Sequence, residues 1–210
     1  AKGLRIGVPK QHFWESLDAD VNRLVRQAID DLASNGAEVR DVEFPQATAW
    51  SAANGVVTLV EAAAFHQPNF PSRRGDYGPS VAGLLDAGAQ LKGTAYVEAR
   101  RALEQARRHD ADAILDGVDV LAVPTVPMPA PTIELMRSDD ATLGIVSLTG
   151  VFDFTGQPVL AVPCGLATGD LPVGISFVAR RWDEASAFRA GRAYEQIRGP
   201  FPLPPIARGS

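Results

Sequence analysis

Phe152-Asp153-Phe154-Thr155-Gly156-Gln157-Pro158-Val159-Leu160-Ala161-Val162-Pro163-Cys164-Gly165 reads as a strand segment punctuated by glycine and proline. Pro158 and Pro163 fix φ where they stand, and Gly156 and Gly165 permit backbone conformations or close approaches that a Cβ would block. The strand itself is expected over residues 158–162. A second follows over residues 173–178, and the Gly- and Asp-rich stretch between them predicts a hairpin.

Upstream, residues 119–123 form a compact apolar run between Gly117 and Pro124, the pattern of a strand buried on both faces. The proline-dense stretch after it, residues 124–131, can be neither helix nor central strand. At the start of the chain, residues 4–9 alternate and stop at Pro9, as a strand ending on a turn does. Val21, Leu24, Val25, Ala28, Ile29 and Leu32 then recur at helical spacing, with Asp18 and Asp20 as N-terminal acids and Asn35-Gly36 as terminator. Residues 38–44 alternate as another strand.

Between these ends the pattern is helical. The alanine-rich residues 49–66 read as a mostly buried helix, broken by Pro68, Pro71 and Gly75. Residues 95–115 read as a long helix with a charged, solvated face, and residues 184–197 as a last helix ending near Gly199-Pro200. Strands alternating with helices predict an α/β fold, a mixed β-sheet flanked by helices, in one domain over residues 1–210.

Composition narrows the function classes. The 210 residues are 46% hydrophobic and 21% charged, and the 20 basic and 25 acidic residues give a net charge of -5. Neither sign forms a long block, so neither a nucleic-acid partner nor a membrane surface is expected. One cysteine, Cys164, forbids an internal disulfide, and no Cys/His pair has zinc-finger spacing. No metal or other cofactor is expected, and the location expected is cytoplasmic.

Three segments fall in the order of the amidase-signature hydrolases: Gly3-Leu-Arg-Ile-Gly-Val-Pro9, Asp119-Val-Leu-Ala-Val-Pro-Thr-Val-Pro127, and residues 152–165 with Leu171-Pro-Val-Gly-Ile-Ser-Phe177 downstream. The chain resembles the C-terminal half of that family, which implies the C-terminal part of its α/β/α sandwich. The resemblance also implies cleavage of carboxylic amides through an acyl-enzyme. Its machinery is a serine nucleophile, a second serine on a cis peptide and a proton-shuttling lysine, all upstream of the segment with which this chain begins. No Gly-Gly-Ser-Ser-Gly-Gly-Ser run occurs here, and Lys2, Lys10 and Lys92 lie beside no Gly/Ser-rich loop. No catalytic residue is assigned, and the chain alone is expected to be inactive.

Other nucleophile systems fit poorly. His12, His66 and His109 have no Gly-x-Ser-x-Gly elbow to serve, and Cys164 reads as a small core residue. The candidates that remain are pocket residues. Ligands of open α/β sheets bind beyond the carboxyl ends of strands, which points to Thr125 and Pro127 in the loop after the central strand. Asp153, Thr155 and Gly156 are placed at the same cleft, although polar groups there could equally satisfy local turns. The family pattern commonly has Asn at Asp153. Glutamine-using members place an arginine for the substrate carboxylate where this chain has Leu103, with Arg100 and Arg101 offset, so an amidase of unassigned specificity is the closer fit. The expected partner is a small-molecule amide, and strand edges left unpaired predict a homodimer. The rival reading is a non-catalytic α/β binding module or degenerate paralogue.

Overall fold

The computed structural model describes residues 1–137 and 144–203. Its centre is a five-stranded mixed sheet in the order β2-β1-β3-β5-β4. The strands are β1 (Arg5–Pro9), β2 (Glu38–Val42), β3 (Val120–Pro124), β4 (Val159–Ala167) and β5 (Leu171–Val178). β1 lies parallel to both β2 and β3, whereas β5 runs antiparallel to β3 and to β4.

Alternation along the strands divides the core between the two faces. Ile6, Val8, Val120, Ala122, Ile175 and Phe177 point to one side. There they meet α1 (Ala19–Ser34), through Val21, Val25, Ile29 and Leu32, and α8 (Glu184–Arg198), through Ala187, Ala190 and Tyr194. Leu121, Val123 and Val178 point the other way, toward Phe44, Trp50, Leu103, Leu115, Phe152 and Phe154. That layer is built from α2 (Ala47–His66), α5 (Gly93–Gln105), the short α6 (Ala111–Ala113) and α7 (Gly150–Thr155). The short α3 (Phe70–Arg73) and α4 (Pro79–Gln90) lie beyond, α4 packing on α2.

The expected mixed α/β architecture is present, and its first helix forms as its spacing predicts. The Asp18 carboxylate caps α1 by accepting from the Asp20 and Val21 amides, and Gly36 leaves the helix at φ 94°. The β4–β5 hairpin also forms, longer than expected, with Gly169 and Asp170 both at positive φ in its turn.

Four readings need correction. Phe152, Asp153, Phe154 and Thr155 are helical, closing on Gly156 at φ 73°, and β4 starts only at Val159. Periodicity cannot settle so short an apolar segment, and its tertiary neighbours decide. Secondly, β2 ends at Val42, and the chain turns inward so that Phe44 is fully buried. Thirdly, α2 is not mostly buried, because only Ala47, Trp50 and Val57 are fully enclosed. Alanine-rich helices touch their neighbours along narrow stripes, and α2 shares itself among α4, α5 and α7. Lastly, α4 has no counterpart among the helices expected from the sequence. Gly88 brings it so close to α2 that a Cβ there would lie 2.1 Å from the Leu59 carbonyl oxygen.

No described helix is long and apolar enough to cross a membrane.

Phe177 is fully buried on β5 and meets Tyr194 of α8 at a ring-centroid separation of 6.4 Å. Phe177→Ala should therefore destabilise the fold by about 3–5 kcal/mol, read as a lowered urea midpoint with unchanged slope.

Candidate functional site

α7 is only six residues long, so it covers little of the sheet face above β5 and β4. Beside it opens a cavity of about 390 Å³. Its floor is Val123 and Pro124 at the end of β3, with Ser176, Ala161 and Val159 from the neighbouring strands. Leu148, Thr149, Phe152, Asp153 and Gln157 form the wall. A second cavity, about 340 Å³, lies on the outer side of α7, and both include Phe152, Asp153 and Gln157. Its outer wall is Pro158, Trp182 and Glu184, with Gly156 between.

Thr125 lies where β3 gives way to the proline-rich loop. Its amide donates to the Gly174 carbonyl at 3.1 Å, and its Oγ1 shares a hydrogen bond of 2.8 Å with Ser176 Oγ. A Cβ on Gly174 would lie 2.8 Å from Thr125 Oγ1, so glycine there makes room for the hydroxyl pair. Pro127 is buried, and its carbonyl accepts from the Asp18 amide at 2.9 Å, pinning the loop to the start of α1.

Thr155 is fully buried, and its single hydroxyl proton has two acceptors in reach, Gln157 Oε1 at 3.0 Å and the Phe152 carbonyl at 3.3 Å. Gln157 Nε2 in turn donates to the Ala111 carbonyl at 3.0 Å. This chain of bonds ties the end of α7 to α6. Arg107 completes the anchor from outside, donating from Nε to the Phe154 carbonyl at 2.9 Å and from Nη2 to the Asp153 carbonyl at 3.2 Å. Among the five expected pocket residues, the structure thus places Thr125 and Asp153 on the first cavity and Asp153 and Gly156 on the second. Thr155 and Pro127 sit behind, within local hydrogen bonding.

Most lining residues are absent from the sequence-based expectation, Ser176, Trp182 and Glu184 among them. Ser176 was accessible to it, because alternation against Ile175 and Phe177 already places it on the opposite face. Trp182 and Glu184 carry no such signal. Trp182 sits in the turn before α8 and Glu184 opens that helix, and only the fold brings them beside α7.

The described lining of the two cavities contains hydroxyls, an amide and carboxylates, but no lysine, arginine or histidine. None of the lining hydroxyls bonds those carboxylates, since Thr125 and Ser176 pair with each other and Thr149 donates to the Val146 carbonyl. A hydroxyl unpaired with a base is a weak nucleophile, so the lining suits binding rather than covalent chemistry. The histidines lie elsewhere. His12 bridges Thr48 and the Ser147 carbonyl, His66 bonds the Tyr77 hydroxyl, and His109 is exposed. Cys164 lies on the far face, where burial pushes its thiol up to about 12.

The Amidase family model matches residues 1–188, and the chain belongs to that family. It is 34% identical over 202 residues to an amidase of Pseudomonas putida, covering 93% of this chain and 43% of that protein. It is 32% identical over 228 residues to a glutamyl-tRNA(Gln) amidotransferase component of Exiguobacterium sibiricum, covering 98% of this chain and 47% of that one. Among solved structures, a crystal structure of an amidase superposes with a TM-score of 0.84 at 27% identity, over 95% of this chain and 46% of the other. The chain spans about half the length of the relatives it matches.

With its thiol raised to about 12, Cys164 is un-ionised throughout the neutral range. Iodoacetamide at pH 8 should leave it unmodified in the folded chain and alkylate it promptly in urea, as intact-mass measurement would show.

Proposed function

We propose that this chain is the C-terminal, pocket-bearing part of an amidase-signature hydrolase that cleaves carboxylic amide C–N bonds. In this reading a serine encoded upstream of Ala1 attacks the amide carbonyl. The C–N bond breaks, the amine departs with a proton relayed by the upstream lysine and cis-peptide serine, and water then hydrolyses the acyl ester. The present residues supply one wall of the cleft. The single observation that carries the division of labour is a well-formed cavity beyond the end of β3 whose described lining has no nucleophile paired with a base. Spanning about half of its relatives fits the same division.

Leu103 favours an amidase of unassigned specificity over a glutamine transamidase. It is buried in the core beneath α5, while Arg100 pairs with Glu61 at 3.4 Å, away from the cleft. A cytoplasmic location belongs to the same reading.

The purified 210-residue chain should not turn over simple amides or esters, with or without Cys164→Ala. A product extended to include an upstream Gly/Ser-rich signature should. A reading frame that starts immediately before Ala1 would sink the proposal, and so would turnover by this chain that Cys164→Ala abolishes.

Among the described residues, the outer edge of the nine-residue β4 pairs with no other strand, which also supports self-association of this chain. Val159 is 42% exposed on that strand and would be covered by a second copy. Light scattering should give twice the 22.3 kDa chain mass. A monomer at high concentration would count against the dimer.

A further inference from the structure

We propose that the two adjacent cavities, which share Asp153 in their lining, select an amide bearing an organic cation, a protonated amine, amidinium or guanidinium. The Asp153 carboxylate would pair with the charge and the Trp182 indole would cover it. This rests on the reading of the cleft as a substrate pocket and adds the chemical class of what enters.

The argument begins with charge. The charged side chains in the described lining are Asp153 and Glu184, and both are acidic. Among the described residues the Asp153 carboxylate has no hydrogen-bond or ion-pair partner, unlike Asp119, which is paired with both Arg5 and Arg189. Arg107 stands behind Gly156 and spends its guanidinium on the backbone carbonyls of Phe154 and Asp153, while Arg180 and Arg181, just before Trp182, spend theirs on the carbonyls of Val118, Leu115 and Arg107. Arg107 holds the turn in place and leaves the carboxylate free.

Shape supplies the second step. Asp153 lines both cavities, so a ligand in either one meets it. On its inner side the walls are largely apolar, with Val123, Leu148 and Phe152. The outer side presents Trp182, which is 85% exposed and lines the cavity next to Glu184. An indole left in water on a cavity wall gains from being covered, and among aromatic rings it attracts cations best. Glu184 is the first residue of α8 and adds a second acid to the outer wall. An amphipathic ligand satisfies all of this, with its apolar body against the floor and its cation between Asp153 and Trp182.

The test is a binding comparison on the 210-residue chain using benzamidine, an amidinium, and its neutral near-isostere benzamide, followed by calorimetry. Benzamidine should bind at least tenfold more tightly. Asp153→Asn should erase that preference while leaving benzamide affinity unchanged. Trp182→Leu should weaken benzamidine severalfold, and both residues are exposed enough to change without unfolding the chain. Equal affinity for the two probes would overturn the proposal, as would binding of neither or an undiminished preference in Asp153→Asn. A longer, active product separates this idea from the amidase reading. If it hydrolyses neutral amides with a lower KM than cationic ones, the enzyme stands and the cation site falls.

Discussion

The antiparallel pairing of β3 with β5, Leu121 opposite Val178 through Pro124 opposite Ile175, is the constraint on which the rest depends. Among the described residues it is the only seam joining the parallel β2-β1-β3 part of the sheet to the β5-β4 hairpin. β3 is buried along its whole length, so it tolerates no polar side chain and no slip, since a one-residue shift would exchange the contents of the two faces. Once the seam is set, Phe177 must face α1 and α8, and Ser176 must face the opposite layer. The hydroxyl pair with Thr125 follows from that register.

The same seam decides where a cleft can exist. The face toward α1 and α8 is covered by two long helices and closes into a continuous core. Across the sheet, α2, α5 and α6 cover the β3 side, and only the six residues of α7 reach toward the hairpin. A sheet face with incomplete helical cover, at the carboxyl end of a buried strand, is where α/β proteins place their ligands. Here the gap is floored by small or short side chains, Ala161 and Ser176 among them, which leave it open.

Much of this was legible in the sequence where a side chain's neighbours are local. The helical spacing from Val21 to Leu32, the Asp18 cap and the apolar run of β3 each follow from short-range rules, and each formed. The hairpin was legible as well, with its exit turn marked by Gly169 and Asp170. What escaped were features set by distant partners. α7 carries alternating aromatics that read equally well as strand, and it becomes a helix because Gly156 can close it and Arg107 can donate to the Asp153 and Phe154 carbonyls, 46 and 47 residues away. α4 depends on Gly88 fitting against the backbone of α2, a relation with no local signature. Trp182 and Glu184 joined the cleft only because the turn before α8 lands beside α7.

Of the residues around that turn, those that face the cleft and those that hold it are different sets. Thr155, Gln157 and Arg107 make the contacts that fix the end of α7, and each acts on backbone or on another anchor. Asp153 makes none with its carboxylate, yet its main chain is fixed by Arg107 through the Asp153 carbonyl. The Asp153 carboxylate makes no internal bond among the described residues, so the fold does not depend on its charge, whereas an unpaired carboxylate on a main chain held by Arg107 and lining both cavities is what a cation-selecting wall needs.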